Sequence, residues 1–362
     1  MMRLQKMISA TAIVAIVFSA CKKDKDPVIV VPPSTGSSVE FNGLAGAEAG
    51  SSAGNSVFLD LSTNTMTALA RSTWDLGFYS GAEFRVILNN TTSAGAKVLT
   101  QNDLNAVGTA DTVGLTLAVN QSAPVPADMA YFDDIAGSLT GTVIPEVSAT
   151  AANNKVIVIN RGTGGSIAAR PWVKIRVLRS ASGGYTLQYA RITATTFQTL
   201  EIPKDATVHY KLASFETGVL ANGQPEKTKW DLVWSYSVFQ TDLGGGIVPY
   251  NFSDLIALNN LSNVQAKEKK YADATAALAA YTAFNKDSVN AALNAVVAGR
   301  WTIGSNWRST SPPTPVGAYP NRFYLIKDAN GNYYKLKCLS MGAGTDGGTR
   351  GKPKFQYDLI AM

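Results

Sequence analysis

Two short strings in this chain are alike: Trp-Asp-Leu-Gly-Phe at residues 74–78 and Trp-Asp-Leu-Val-Trp at residues 230–234. Each follows a polar turn and continues into an alternating apolar-polar segment, at residues 79–90 and 235–242. Alternation rich in aromatic and β-branched residues is typical of a half-buried strand. We expect the tryptophan to anchor a core and the aspartate to hold a turn. The strings therefore indicate architecture rather than chemistry.

Further features recur in the same order after each string. Hairpin turns are predicted at Ser182-Gly183 and at Asn330-Gly331, each between two strand-like segments. A similar strand follows each hairpin, beginning at Phe197-Gln198 and at Phe355-Gln356. Three matches in one order predict a tandem duplication of a β-rich unit.

The predicted fold class is mostly β, with two tandem domains at residues 40–203 and 204–362 and a boundary near Pro203. Each domain has a size suited to a single core. The second carries a helical insertion at about residues 266–298, because that segment is rich in alanine with Leu and Val at helical spacing. The helix is expected to break near residues 285–287.

Other segments also predict strands or buried side chains. Alternation favours strands at residues 109–119 and 300–307. Cys338 lies in a strand pattern and is expected to be a small buried hydrophobe.

The N-terminal segment is typical of a targeting sequence. Residues 1–20 contain an early positive charge and an apolar run of about fourteen residues, too short to span a membrane. The run ends in small residues at Cys21, which is typical of a lipoprotein signal peptide with Cys21 as the lipidated residue. Residues 21–39 then form a Pro- and Ser-containing tether. The alternative is a cytoplasmic chain with an apolar N-terminal helix.

The charge composition gives no indication of nucleic-acid binding. The formal charge is +6, and no block of five or six basic residues occurs, so nucleic acid is not implied.

Catalysis has little support in the sequence. His209 is the one histidine, and its strand-like setting favours a structural role. Metal-binding, phosphate-binding and nucleophile motifs are missing from the sequence. Asp133-Asp134 could bind a cation, but a lone acidic pair usually forms a solvated turn. We therefore predict that the protein has no catalytic residues and is not an enzyme.

Aromatic side chains are concentrated in the second unit and around residues 129–132 of the first. In the second unit they are Tyr271, Tyr281, Trp301, Trp307 and Tyr319. Such side chains line pockets for flat apolar ligands, but they also build cores, and the sequence favours core.

The segments at residues 74–89, 229–234 and 323–337 resemble the HmuY family. They read W-D-L-G-F-Y-S-G-A-E-F-R-V-I-L-N, K-W-D-L-V-W and F-Y-L-I-K-D-A-N-G-N-Y-Y-K-L-K. The resemblance covers most of the chain after the tether and implies two tandem HmuY-like β-rich domains. It also implies the function of that family, lipid-anchored haem binding at the outer membrane of Gram-negative anaerobes.

The family's best-known members hold haem iron between two histidines, which one histidine cannot supply. Asn306 stands at the approximate place where the family would have one of them, next to Trp307. Met129, Met341 and Tyr271 are the other candidate haem-binding residues, since Met and Tyr are known axial ligands. The residues themselves do not select among these five candidates, and whether the protein has another metal site is unknown from the sequence.

The resemblance implies a lipoprotein that binds haem or a related porphyrin for iron acquisition and passes it to an outer-membrane transporter. Lys22 follows Cys21, so the aspartate that retains lipoproteins in the inner membrane of many bacteria is not there. We expect the cell surface as its location, with the periplasmic face as the alternative. The alternative function is a non-haem binding or interaction module of the same fold.

Overall fold

The computed structural model describes residues 32–293, 299–312 and 314–360. The chain divides into two units, residues 1–32 and 33–362, and every strand named below belongs to the second. The predicted signal peptide (1–20) and Cys21 lie outside the described residues. The C-terminal bound of the predicted tether (21–39) was wrong, because Gly36–Glu40 forms a strand.

Strands are the main secondary structure. Twenty lie in the described residues: β1 (Gly36–Glu40), β2 (Asn55–Asp60), β3 (Thr65–Ala70), β4 (Leu76–Tyr79), β5 (Val86–Leu88), β6 (Gly95–Val98), β7 (Ile157–Asn160), β8 (Val173–Arg179), β9 (Tyr185–Arg191), β10 (Gln198–Ile202), β11 (Tyr210–Ala213), β12 (Leu220–Ala221), β13 (Leu232–Asp242), β14 (Ile247–Leu258), β15 (Gln265–Lys270), β16 (Arg308–Ser309), β17 (Gly317–Ala318), β18 (Arg322–Lys327), β19 (Tyr333–Ser340) and β20 (Lys354–Ile360). Two α-helices, α1 (Ala274–Ala283) and α2 (Lys286–Leu293), follow β15.

The strands form four antiparallel sheets. Sheet I has the order β12-β11-β4-β5, and sheet II has the order β10-β9-β8-β7-β6. Sheet III has the order β14-β13-β2-β3, and sheet IV has the order β1-β20-β19-β18-β15. Strands β16 and β17 form a separate short ladder.

The two halves of the chain exchange their first hairpins. Strands β2 and β3 come from the first half but join β13, where Leu59 pairs with Leu232. Strands β11 and β12 come from the second half but join β4, where Ala213 pairs with Leu76. Each Trp-Asp-Leu strand is thus completed by the other half, so both cores draw residues from both sides of the predicted boundary at 203/204. That boundary stays a prediction.

Side-chain alternation divides the sheets into buried layers. One core, with Phe78, Ile175 and Tyr185, lies between sheets I and II. The other, with Trp234 and Tyr324, lies between sheets III and IV. The opposite faces of sheets I and III meet through a third cluster of side chains (Phe58, Leu69, Trp74, Tyr210, Leu212 and Ala221). The layers therefore stack in the order II, I, III, IV.

The Trp-Asp-Leu strings form the same turn in both halves. A carboxylate oxygen of Asp75 accepts the backbone N–H of Phe215 at 2.8 Å, and Asp231 accepts that of Leu61 at 2.8 Å. In both cases the donor lies on the exchanged segment. The aspartates therefore fix the exchanged hairpins in register.

An asparagine supports each turn from the other side. The side-chain amide of Asn89 donates to the carbonyl of Trp74 at 2.7 Å, and Asn259 donates to that of Trp230 at 2.8 Å. Both are almost fully buried. The repeat predicted from two short strings is thus confirmed, and the two turns share the same hydrogen bonds.

Other predictions have mixed outcomes. The hairpins β8–β9 and β18–β19 and the strands β10 and β20 are confirmed. Cys338 is a free, buried cysteine within a core, as predicted. The helix break is also confirmed, because α1 ends at Ala283 and α2 begins at Lys286.

Three segment assignments were wrong. The helical insertion begins at Ala274 rather than at 266, because residues 265–270 pair with β18 and Asp273 caps α1 through the N–H of Ala276. Residues 109–119 begin as a short 3-10 helix, because the Asp111 carboxylate accepts the N–H of Gly108. Residues 300–307 form turns with one isolated bridge, between Gly304 and Ile256, and the φ of 52° at Gly304 lies outside the range of a strand.

Candidate functional site

A cavity of about 150 Å³ lies between sheets I and III, and we call it the inter-repeat cavity. Its apolar walls come from the faces of these sheets that point away from the cores. Leu212 lies on the sheet I wall, and Phe58, Val233 and Ala257 lie on the sheet III wall. The hairpin exchange therefore creates this cavity, because it places the two sheets face to face.

Aromatic side chains surround the cavity. Trp74, Tyr210, Trp230 and Trp301 line it, and Phe58 meets Trp230 edge to face at 5.1 Å between ring centroids. Aromatic walls with a few convergent polar groups are typical of sites for small molecules.

Four buried polar atoms at the cavity have no hydrogen-bond partner among the residues that the structure describes. They are the acceptors Asn90 Oδ1 and Gln224 Oε1 and the donors Trp230 Nε1 and Arg300 Nε. More than nine in ten buried polar groups in proteins have a partner. These four atoms have almost no accessible surface, so in this structure they are not open to the cavity itself.

Asp133 and Arg300 supply charge at the rim of this cavity. Both oxygens of Asp133 accept backbone N–H groups, from Leu88 at 2.7 Å and Val143 at 2.9 Å. Burial raises the pKa of Asp133 to about 6, although these bonds and the positive charge of Arg300 lower it. The solvated turn predicted at Asp133-Asp134 was thus wrong for Asp133, which is 5% exposed.

The electrostatics of Arg300 differ from those of a surface arginine. Burial lowers its pKa, while the nearby Tyr210 and Asp133 raise it. Within the described part of the chain, no hydrogen bond joins its guanidinium to another group, and its carbon Cζ lies 5.3 Å from the Trp301 ring centroid.

A second concave surface is open and strongly basic, and we call it the Asn306 cleft. It has a volume of about 400 Å³ and is lined by Lys270, Ser305, Asn306, Arg308, Ser309, Thr310, Ser311, Tyr319 and Arg322. Arg322 organises it, because its guanidinium donates to Glu268 and to the Asn306 carbonyl, each at 2.7 Å. The same guanidinium lies 4.3 Å above the Tyr319 ring.

Arg308 adds a buried cation to the Asn306 cleft. It is 7% exposed and donates through Nη2 to the carbonyl of Ser253. Its Nε has no partner among the described residues. Burial lowers its pKa, although Asp254 counters this effect. Lys270 is exposed at the rim, so the cleft attracts anions.

The structure places the five predicted haem-binding residues in four different settings. Asn306 is exposed in the cleft that carries its name. Trp307 and Met341 are fully buried in the core between sheets III and IV, and Trp307 Nε1 donates to the Asp254 carbonyl at 2.9 Å. A ligand cannot reach these two side chains without unpacking that core, so their placement disfavours the predicted role.

The remaining two candidates lie apart from each other. Met129 is half-buried against the cluster of Phe132, Ile135 and Val238. Tyr271 is half-buried and stacks on Phe323 at 5.8 Å, next to Lys270 of the Asn306 cleft. The methionines therefore do not converge on one site.

A glycine-rich loop at residues 162–165 lies between β7 and β8 and lines an open cleft of about 560 Å³. Gly162 and Gly165 have φ of 73° and 64°. The buried Arg71 donates to the carbonyls of Gly164 and Gly165, and Ser93 Oγ donates to Asn251 at 2.6 Å. These polar groups are paired within the protein, so this cleft is a weaker candidate.

Sequence reasoning missed Asn90, Gln224 and Arg300. Each lies alone in an unremarkable segment, and only the exchange of hairpins brings them together. No local signal in the sequence marks them.

Two absences apply to residues 32–293, 299–312 and 314–360. In them, no group of three or more His, Cys, Asp or Glu side chains is arranged to hold a metal ion. Nor does any helix among them have the length and apolar character needed to cross a membrane.

Comparison with known proteins identifies the family of this chain. Neither the curated proteins nor the solved structures include a significant match. The family model described as HmuY protein matches twice, over residues 52–202 and 204–357. Family membership supports a haem-binding-related function in general. Because the two matches cover most of the chain, and because the hydrogen bonds of the two halves repeat, this protein belongs to the HmuY family as a tandem duplicate.

Proposed function

We propose that this protein is a lipoprotein, anchored to the outer membrane through Cys21, that binds haem or a related porphyrin for uptake. Its folded body would hand the porphyrin to an outer-membrane transporter, and it would act by binding, without catalysis. The anchor rests on the apolar run and small residues before Cys21. We favour the cell surface over the periplasmic face.

The Asn306 cleft is the observation that carries the haem proposal. Its volume of about 400 Å³ lies in the usual range of ligand sites, about 300–1,000 Å³. Porphyrins of the haem type carry two carboxylates, and Lys270, Arg308 and Arg322 are the cations that would bind them.

Tyr319 offers the cleft an iron ligand, since a tyrosine oxygen holds haem iron in some proteins. It is half-buried, and its backbone N–H donates to the Trp307 carbonyl at 2.9 Å, which fixes its position. Asn306 lies beside it as a hydrogen-bonding group. Haem itself is the cargo and supplies the iron.

The test is a titration of the full chain carrying Cys21→Ser with haemin. The Soret band is recorded during the titration, under oxidising and under reducing conditions. We expect a saturable Soret shift that Tyr319→Phe alters. Tyr271→Phe and Met129→Leu are matched variants that test the sequence-predicted ligands outside the cleft lining. We expect them to bind haemin as the parent does.

Two results would contradict this proposal. A parent chain without a saturable Soret shift would refute haem binding altogether. A shift that is lost in Met129→Leu and kept in Tyr319→Phe would place the porphyrin outside the Asn306 cleft.

A second candidate function is the binding of a non-haem ligand by the same fold. The aromatic lining of the inter-repeat cavity favours it. At about 150 Å³ that cavity is the size that accepts one benzene-like molecule, much smaller than a porphyrin.

A further inference from the structure

One face of sheet IV packs in the core, and the opposite, outer face carries six lysines. Side chains alternate along each strand, so residues that pair across neighbouring strands lie on the same face. On β19, Tyr334 and Leu336 belong to the core, and Lys335 and Lys337 therefore lie on the outer face. The six lysines of this face are Lys267, Lys269, Lys327, Lys335, Lys337 and Lys354.

The described strands place only two carboxylates on this face. Asp358 accepts the Tyr281 hydroxyl at 2.7 Å, and the carboxylate of Glu40 lies 3.0 Å from Lys354 Nζ. Positive charge is therefore in excess, and the face attracts anions. Within the described part of the chain, no salt bridge reaches three of the lysines, Lys267, Lys269 and Lys327.

Helix α1 packs over part of this face and presents an uncharged surface to solvent. Tyr281 and Phe284 meet Phe323 of β18 edge to face, and Lys335 Nζ donates to the carbonyls of Tyr281 and Phe284 at 2.7 and 3.1 Å. None of the ten residues of α1 is charged. Its exposed residues form one stripe at helical spacing: Ala274, Thr275, Leu278, Ala279, Thr282 and Ala283.

Leu278 is the large apolar side chain of that stripe. It is 55% exposed, although leucine is among the residues most often buried. The Thr282 hydroxyl donates to the Leu278 carbonyl at 2.9 Å, so its polar group is satisfied within the helix. Asp273 and Asp287 lie at the N-terminal ends of α1 and α2, outside the stripe. An exposed apolar helix surface bordered by lysines is typical of helices that lie in the headgroup region of a membrane.

The chain enters sheet IV directly after the proposed anchor. The first strand, β1, forms an edge of sheet IV beside β20. Gly36 begins this strand about 15 residues after Cys21, a length that spans at most about 50 Å when fully extended. A lipid on Cys21 would therefore keep sheet IV, an outer layer of the stack, close to the bilayer.

We propose that the outer face of sheet IV, together with α1, is a docking surface for a membrane that contains anionic, phosphate-bearing lipids. Leu278 enters the apolar boundary of the bilayer, and the lysines around α1 bind the headgroups. The choice of a membrane as the partner rests on the proposed lipid anchor. Neither Leu278 nor any of the six lysines lines the Asn306 cleft, so the inference does not depend on haem binding.

The first repeat offers a control surface at the opposite end of the stack. On β9, in the corresponding hairpin of sheet II, the side chains that point away from the core are Thr186, Gln188 and Ala190. They are uncharged where β19 has lysines. Lys97 and Lys155 lie in this half of the chain and are accessible to solvent.

The experiment is co-sedimentation with lipid vesicles of the chain from residue 33 to 362, the unit that contains every strand. This chain omits the apolar N-terminal run, which would itself enter vesicles. At low salt we expect vesicles of phosphatidylcholine with phosphatidylglycerol to bind it at least about tenfold more tightly than phosphatidylcholine alone. Salt at about 1 M should release it, because the screening length falls to about 3 Å.

Two variants locate the surface. Lys267→Glu combined with Lys327→Glu should weaken binding at least about 20-fold, because each lysine near an anionic surface contributes roughly fivefold. Leu278→Glu should weaken binding at least about tenfold, because it removes the apolar group that enters the bilayer. Lys97→Glu combined with Lys155→Glu is the control, which changes the net charge equally and should weaken binding about twofold at most.

The inference is overturned if vesicles with phosphatidylglycerol do not bind the parent chain at low salt, or if the control loses as much affinity as Lys267→Glu with Lys327→Glu. Retention on immobilised polyglutamate without vesicle binding would indicate an acidic protein partner and would also overturn it. Incorporation of a labelled fatty acid at Cys21 of the full chain tests the anchor separately, so the two failures are distinguishable. Thermal melts identify a variant that fails to fold, and the dependence of the parent on phosphatidylglycerol then decides the question.

Discussion

The two Trp-Asp-Leu turns share their backbone hydrogen bonds but differ in how the aspartate charge is neutralised. Asp75 accepts from Arg161 Nε at 2.8 Å and from its Nη2 at 3.0 Å, and Arg170 adds a third bond at 3.2 Å. Asp75 and Arg161 are each only 3% exposed. Burial lowers the pKa of Arg161, but hydrogen bonds and charge from Asp75 outweigh this effect and raise it.

Asp231 occupies the same place without a cation. Its oxygens accept the N–H groups of Leu61 at 2.8 Å and Ala329 at 3.1 Å, and no salt bridge joins it to another described residue. Burial, together with the nearby carboxylates of Asp328 and Asp60, raises its pKa to about 7, although the two N–H bonds lower it.

This difference teaches that the exchanged hairpin needs an acceptor at this position, not a particular charge. An arginine neutralises the acceptor in one half, and partial protonation does so in the other. The two aspartates therefore accept equivalent backbone hydrogen bonds but contribute differently to the free energy of folding.

The largest expected effect follows from breaking the buried ion pair. Asp75→Asn leaves Arg161 buried without its main partner, which typically costs about 3–5 kcal/mol. Asp231→Asn at pH 7 removes less charge and loses about one hydrogen bond, so we expect about 1–2 kcal/mol. Urea unfolding of both variants beside the parent chain measures the free energies.

Equal losses in the two variants would contradict the assigned difference. Arg170→Met is a further control, because it removes the outer cation and leaves the Asp75–Arg161 pair in place. We expect it to be milder than Asp75→Asn.

A smaller effect concerns the pH dependence of stability. Because the pKa of Asp231 is raised in the folded state, the folded protein holds its proton more tightly than the unfolded chain, and stability falls as pH rises from about 4 to 7. Between pH 5 and 7 the parent should lose roughly 2–3 kcal/mol relative to Asp231→Asn.

The measurement is the difference in unfolding free energy between parent and Asp231→Asn at four pH values. Taking the difference cancels Asp133, whose raised pKa acts in the same direction. A difference that stays constant with pH would show that Asp231 is ionised throughout this range.

Local patterns were sufficient to predict individual strands. The alternation in β8, β9, β18 and β19 identified both hairpins, and recurrence of the same features identified the duplication. The exchange was not predictable, because Leu59 pairs with Leu232 across nearly half the chain and nothing in either strand specifies its partner.

The sequence was equally unable to predict which single polar residues are buried. Asp133 is buried and accepts the N–H groups of Leu88 and Val143, and Leu88 belongs to a distant segment. Trp307 was assigned near a ligand from its position in the sequence, but its indole belongs to the core between sheets III and IV. Such assignments depend on tertiary contacts.

The smallest expected effect comes from the asparagines behind the two turns. Asn89 Oδ1 accepts from its own turn, through the N–H and hydroxyl of Thr91 at 3.1 and 2.6 Å. Asn259 Oδ1 instead lies 3.1 Å from His209 Nε2, which also lies 2.9 Å from Ser262 Oγ. Ser262 Oγ donates to the Lys227 carbonyl, so it accepts from His209, and Nε2 must carry the proton.

His209, which lies just before the exchanged strand β11, therefore makes the contact to Asn259 that Thr91 makes locally to Asn89. His209→Gln should cost about 1 kcal/mol at pH 7, the value of one hydrogen bond, whereas Thr91→Val in the other half should cost a similar amount without any pH dependence. Burial lowers the pKa of His209, so its contribution is complete above about pH 6.5 and is lost as the pH falls. This direction is opposite to that of Asp231. Unfolding free energies of His209→Gln and the parent at pH 5.5 and 7.5 test this, and a gap that widens at pH 5.5 would contradict the assigned neutral tautomer, because the parent alone loses stability there.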